Sequence, residues 1–152
     1  MDKAITTILL MIGGIVCTIL VINGVYPAIN RGTAAMVSIA DKTNDRLQSN
    51  IEVIQSATED TEVYVWVKNV GTSRVMAVDQ SDIFYGKPDD FSRIPYGSGA
   101  PYWDYTIEND SDWVPMSTLK ITIHLTTPPS AGTYYVKIVI PNGISDEHTF
   151  SV

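Results

Sequence analysis

The sequence predicts an α+β protein: a long N-terminal hydrophobic α-helix followed by an antiparallel β-sandwich of immunoglobulin-like architecture. Three observations carry this expectation. The stretch from Ala4 to Asn30 has no charge before Arg31. Apolar residues then continue at three- and four-residue steps. Beyond a short polar boundary the period falls from 3.6 to 2, the change that separates a helix with one apolar face from a strand with one apolar face.

The first segment is long enough to span a bilayer. At 1.5 Å per residue a helix needs roughly 20 apolar residues to cross the hydrocarbon core, and Ile5 to Tyr26 meets that length. Three fates fit such a stretch: a membrane anchor, a discarded secretory signal, or the packing core of an assembly of many copies. The signal fits worst, because the run outlasts the usual apolar core of about 7–15 residues, Asp2 offsets Lys3, and no small-residue cleavage site follows. Gly13-Gly14 and Thr18 allow helices to approach closely, so the expected helix-packing residues are Ile5, Ile8, Leu9, Ile12, Gly13, Gly14, Ile15, Ile19, Leu20 and Ile22. Met36, Ile39, Ala40, Thr43, Leu47, Ile51 and Ile54 then recur with Asp41, Lys42, Asp45, Arg46 and Glu52 between them. This stripe extends the expected helix to about Gln55 and the first region to residues 1–56. A bare anchor does not require that second stripe. Pro27 lacks a backbone donor and, with Gly24, marks the expected bend. The four charges from Asp41 to Arg46 are expected to pair along the helix. Cys17 is the single cysteine, so no disulfide closes within the chain, and it reads as a small buried apolar residue.

Residues 57–152 form the expected sandwich. Val63, Val65 and Val67 alternate with Tyr64, Trp66 and Lys68, and Asn69 to Ser73 reads as a turn. Arg74 to Val78, Asp82 to Tyr85 and Tyr102 to Ile107 are shorter strand candidates. The Pro- and Gly-broken stretch Lys87 to Tyr105 reads as an exposed loop region. Leu119, Ile121, Ile123 and Leu125 alternate with Lys120, Thr122, His124 and Thr126, and Pro128-Pro129 ends that strand. Tyr134 to Ile140 and His148 to Val152 are expected to pair through a two-residue Asn142-Gly143 turn.

Charge and chemistry exclude several classes. A net charge of −7 supplies no basic patch for nucleic acid. With only His124 and His148, no catalytic constellation, cofactor cradle or metal-ligand spacing is recognisable, and an enzyme is not expected. His124 reads as an ordinary outward-facing strand histidine. Asn109-Asp110-Ser111-Asp112 reads as a solvated turn, as do Asp79/Asp82 and Asp89/Asp90; Asn109 also heads an Asn-x-Ser acceptor pattern for glycosylation. Tyr102, Trp103, Tyr105 and Trp113 form an aromatic group that suits core packing better than a carbohydrate or subunit contact.

In layout and in two local motifs the chain resembles the archaellin and type IV pilin-like family. Val65-Trp66-Val67-Lys68-Asn69-Val70-Gly71 is similar to the VKN-G strand and turn of archaellum filament and accessory proteins. Gly132-Thr133-Tyr134 through Pro141-Asn142-Gly143 is similar to the closing hairpin of the accessory β-sandwich members. Ile5 stands where bacterial type IV pilins carry glutamate, which points to the archaellum type. No Lys/Arg-Gly leader precedes Met1, so the numbering starts at a processed end or the helix stays in the membrane. The resemblance implies a structural subunit of an archaellum-like extracellular filament for motility or adhesion. Such a subunit is membrane-inserted before assembly and polymerises with identical copies through its N-terminal helix. The alternative it implies is a membrane-anchored accessory or stator protein whose sandwich binds a cell-envelope layer or glycan.

Overall fold

The computed structural model describes residues 2–152, and these divide into two compact units, one reaching to Lys42 and one spanning Thr43–Val152. Helix α1, Asp2–Gln48, runs unbroken through Gly24, Pro27 and Gly32, and none of its residues is buried. Cys17, expected in an apolar interior, is exposed on it. Thr6, Thr7, Thr18 and Thr33 each donate their hydroxyl to the carbonyl four residues back, at 2.7–3.0 Å. These polar side chains are thereby satisfied within the helix itself, as a hydroxyl in an apolar phase must be.

The second unit holds eight strands: β1 (Ile51–Glu59), β2 (Glu62–Asn69), β3 (Asp82–Lys87), β4 (Asp90–Ile94), β5 (Tyr102–Glu108), β6 (Thr118–His124), β7 (Thr133–Val139) and β8 (Ser145–Ser151). They form two antiparallel four-stranded sheets, β1-β2-β6-β5 and β4-β3-β7-β8. The α+β fold class read from the sequence is the observed one.

Register explains the core. On β2, β6 and β5 the rows Val63–Ile123–Trp103, Val65–Ile121–Tyr105 and Val67–Leu119–Ile107 line up across the first sheet. On the other sheet Ile83 sits opposite both Ile94 and Ile138, and Tyr85 opposite Val136. Alternate residues of each strand point between the sheets; Trp103 on β5 and Trp113 in the β5–β6 connection have essentially no exposed surface. The sheet margins are joined at both sides. The Val53 amide donates to Asp146 Oδ2 at 2.7 Å, tying β1 to β8, and Tyr96 bridges to Trp103 at the other margin.

Four local expectations are corrected. The helix ends at Gln48, not near Gln55, and Ile51 to Glu59 is strand. A bulge between Val53 and Gln55 is responsible: Ile51 and Val53 point into the core at period 2, while Ile54 is the extra residue and faces outward, so Ile51 and Ile54 imitate a helical i,i+3 pair. Arg74 to Val78 is not a strand but makes a single bridge from Val75 to Trp113. It then turns through Ala77, at φ 53°, into a short 3-10 helix, Val78–Gln80. Within the expected loop Lys87 to Tyr105, Asp90–Ile94 forms β4, a short edge strand paired with β3. The β7–β8 hairpin closes through three residues, Pro141-Asn142-Gly143, with Ile140 bonded to Ile144 and only Gly143, at φ +86°, left-handed; a two-residue type I′ turn needs positive φ at both positions.

The bulge assignment gives a direct test. Ile51→Ala removes a buried side chain and is expected to cost about 2–4 kcal/mol, whereas Ile54→Ala at the outward bulge should change stability by less than about 0.5 kcal/mol. Urea unfolding of the full chain in detergent, followed by tryptophan fluorescence, measures both. Equal losses would contradict this register.

Candidate functional site

The residues of the two sequence motifs meet around the last turn of α1, which lies in the same compact unit as the sandwich. A helix leaves its final carbonyls without intrahelical partners, and here the loop after β2 supplies donors. The Thr72 and Ser73 amides reach the Gln48 carbonyl at 2.8 and 3.3 Å, and the Val70 and Gly71 amides reach that of Asn50 at 3.0 and 2.9 Å. The backbones approach so closely that a Cβ on Gly71 would lie 2.5 Å from both Asn50 N and the Gln48 oxygen, so only glycine fits.

Asn69 holds this loop in shape. It is fully buried; its Nδ2 donates to the Ser73 and Trp113 carbonyls at 2.9 and 3.2 Å, and its Oδ1 accepts from the Gly71 amide at 3.0 Å. From the opposite sheet the Pro141-Asn142-Gly143 turn closes the collar. Asn142 Nδ2 donates to Ser49 Oγ at 2.7 Å, and the Asn142 carbonyl accepts from Arg46 Nε at 2.6 Å. Ser49 Oγ in turn donates to the Asp45 carbonyl at 2.7 Å. Arg46, expected to pair with a helix carboxylate, instead binds the hairpin. Arg46, Ser49 and Ser73 were not legible as site residues. Asn69, Gly71, Asn142 and Gly143 lie in the recognised motifs, but nothing in the sequence shows that these motifs converge.

The remaining expected sites distribute as follows. Ile5, Ile8, Leu9, Ile12, Ile15, Ile19, Leu20 and Ile22 are all exposed on α1, and a Cβ on Gly13 or Gly14 would meet nothing within 4 Å. By length and composition this helix can cross a membrane. Asn109 is exposed in the β5–β6 connection at φ 60°. Asp112 and Asp82, expected as free solvated carboxylates, pair with Arg74 at 3.1 Å and Arg93 at 2.5 Å on the surface. The aromatic group divides: Trp103 and Trp113 are core, while Tyr102 stacks on His124 with ring centres 4.4 Å apart. His124 is half-buried on the outer face between Glu62 (3.3 Å) and Asp104 (3.1 Å), a more enclosed setting than that of an ordinary surface histidine.

Carboxylates also tune two tyrosines on the outer faces. The hydrogen bond to Glu62 pushes the Tyr64 hydroxyl up to about 12, and that to Glu147, at 2.5 Å, does the same for Tyr135. Donation from Tyr135, aided by Lys137, holds the Glu147 carboxyl below its ordinary range.

Fold and site together define a class: a two-sheet antiparallel β-sandwich joined to a long apolar helix. The sandwich is similar to the archaellum periplasmic stator protein FlaG of Sulfolobus acidocaldarius, at TM-score 0.62 and 26% identity, over 67% of this chain and 99% of that one. It matches a chain of the FlaF and FlaG periplasmic stator complex of the same organism at TM-score 0.60 and 26% identity, over 66% of this chain and 87% of that one. An uncharacterized protein of Archaeoglobus fulgidus is 29% identical over 98% of both chains. No protein-family profile matches the chain.

Two outcomes check this geometry. Gly71→Ala drives a methyl into backbone that cannot yield, and Asn69→Ala removes the three hydrogen bonds made by a fully buried side chain. Each is expected to cost about 2–3 kcal/mol in urea unfolding, and near-parental stability of both would show that the collar does not hold the helix end. Tyr135→Phe removes the main donor to Glu147, so the carboxyl should titrate higher, as read by carboxyl carbon-13 NMR. Because the folded value is depressed, the stabilisation from this pair is present above the ordinary glutamate range and is lost as pH falls through the folded value. The variant should therefore lose less stability on acidification than the parent.

Proposed function

We propose that this protein is a membrane-anchored accessory component of the archaellum, of the stator type, with α1 seated in the bilayer and the sandwich held outside the cytoplasm. The observation that carries the reading is the likeness to FlaG, which takes in 99% of that chain. Two features support it: an apolar helix with no buried residue, and the collar, which bonds the last helix turn to loops of both sheets. A stationary part must bear load at the point where its anchor meets its folded domain. Hydrogen bonds from both sheets to residues 46–50 suit that demand.

The FlaG likeness includes a complex with FlaF, and we assign this chain a heteromeric partner of the same kind, a second envelope-facing β-sandwich protein. An acidic, non-basic surface and the absence of a recognisable reaction site accord with a binding role in place of catalysis. The filament reading takes the same exposed helix as the axis of a homopolymer; the accessory reading agrees better with the solved relatives.

Extraction of native membranes separates the two. The accessory reading expects a discrete detergent-soluble species whose sandwich is cut by protease added outside the cell, and release of the chain from the membrane fraction in Ile15→Asp, since a charge at mid-helix costs about 2.5–3.5 kcal/mol on insertion scales. Long fibres of this chain, or a sandwich protected inside the cytoplasm, would reject it.

A further inference from the structure

Helix α1 carries a regularity that hydrophobicity does not require. Ile5, Ile8, Ile12, Ile15, Ile19 and Ile22 follow one another at alternating steps of three and four, and Tyr26, Ile29, Thr33, Met36 and Ala40 continue the same series. Seven of the eight isoleucines between Ile5 and Ala40 fall on this line and Ile39 falls off it, as do all three leucines of the same span, Leu9, Leu10 and Leu20. Leucine and isoleucine are almost equally apolar, so partition into lipid cannot sort them. Packing geometry can.

A strict 3.5-residue repeat also does not follow the face of a straight helix. It drifts by about 20° per heptad, about 100° over the five heptads from Ile5 to Ala40, and stays on one line only if the helix supercoils with partners of the same repeat. The seam isoleucines are open for this, with exposures from 50% at Ile19 to 61% at Ile15. β-Branched isoleucine holds one dominant side-chain rotamer in a helix. It therefore enters a hole between neighbouring side chains with little entropy left to lose, which matters in lipid, where no hydrophobic gain accompanies helix association.

We propose that α1 assembles with further copies of this chain into a closed parallel bundle of three or four helices through this isoleucine seam. Isoleucine at both alternating core positions disfavours two strands and selects trimers or tetramers, and closed symmetry with one seam per helix leaves no free face for growth into fibres. The parallel orientation rests on the membrane reading above, since every copy inserts with the same end first. Gly13, Gly14, Leu9 and Leu20 lie off the seam, so the bundle differs from packing across the glycines. Cys17 sits two residues before the seam position Ile19, on the side turned away from the bundle axis.

The full chain in density-matched detergent micelles should sediment as three or four copies. Ile12→Ala with Ile19→Ala should weaken association at least tenfold, and Leu10→Ala with Val21→Ala less than twofold. Mild oxidation should join Ile15→Cys, made with Cys17→Ser, into covalent pairs while leaving the parent, with Cys17 alone, unjoined. A monomeric or dimeric parent, fibres, equal effects of the two double variants, or ready disulfide formation through Cys17 would each overturn the bundle. Carbonate washing separates this result from the membrane reading. A chain retained in the membrane but monomeric sinks the seam alone, and a chain washed free yet still trimeric keeps the seam and sinks the anchor.

Discussion

The second compact unit depends on how the open end of α1 is satisfied. A helix that stops beside a β-sheet exposes carbonyls that water can no longer fully reach, and each buried acceptor left without a partner costs about 1–3 kcal/mol. Here Gln48 and Asn50 receive four amides from one five-residue loop. Only a glycine at position 71 lets that loop come near enough, and only a buried asparagine at position 69 holds it in the required turn. The start of β1 at Ile51 follows from this constraint, because the chain must change direction within two residues, Ser49 and Asn50.

From the collar the sandwich builds outward in both directions. Asn69 ends β2 and contacts the Trp113 backbone, which places that tryptophan, through its bridge to Val75, against the core. On the second sheet, Asn142 shares its turn with Gly143 and reaches back to Ser49, so the closing hairpin is also a bond to the helix end. The two motifs on which the sequence resemblance rests are therefore parts of a single hydrogen-bonded structure. This gives a physical reason for their occurring together: either motif without the other leaves part of the Arg46–Asn50 turn unbonded.

The first unit follows a different logic. Its described residues form a helix with no buried side chain, the hydroxyls of Thr6, Thr7, Thr18 and Thr33 turned back onto its own carbonyls and no charge between Lys3 and Arg31. Such a surface is complete only in a non-aqueous setting or against other helices. A sandwich similar to that of archaellum stator proteins thus stands on a helix of the length and composition to cross a membrane.

What was legible in the sequence follows from local periodicity. The uncharged, mostly apolar run from Ala4 to Ile22 needs a helix whatever surrounds it, and the alternation of Val63–Val67 and Leu119–Ile123 needs strands with one buried face, so fold class and most of the strands were determined by the chain alone. Tertiary structure decided the places where one residue breaks a period or where distant groups meet. The bulge at Ile54 turned a strand into an apparent helix, Ala77 diverted Arg74–Val78 from strand geometry, and β4 exists only because β3 lies beside it. The collar belongs to the same category. Arg46 and Asn142 are 96 residues apart in sequence, and hydrogen bonding between such groups leaves no periodic trace, because it depends on where the two sheets bring their loops and not on any repeat within them.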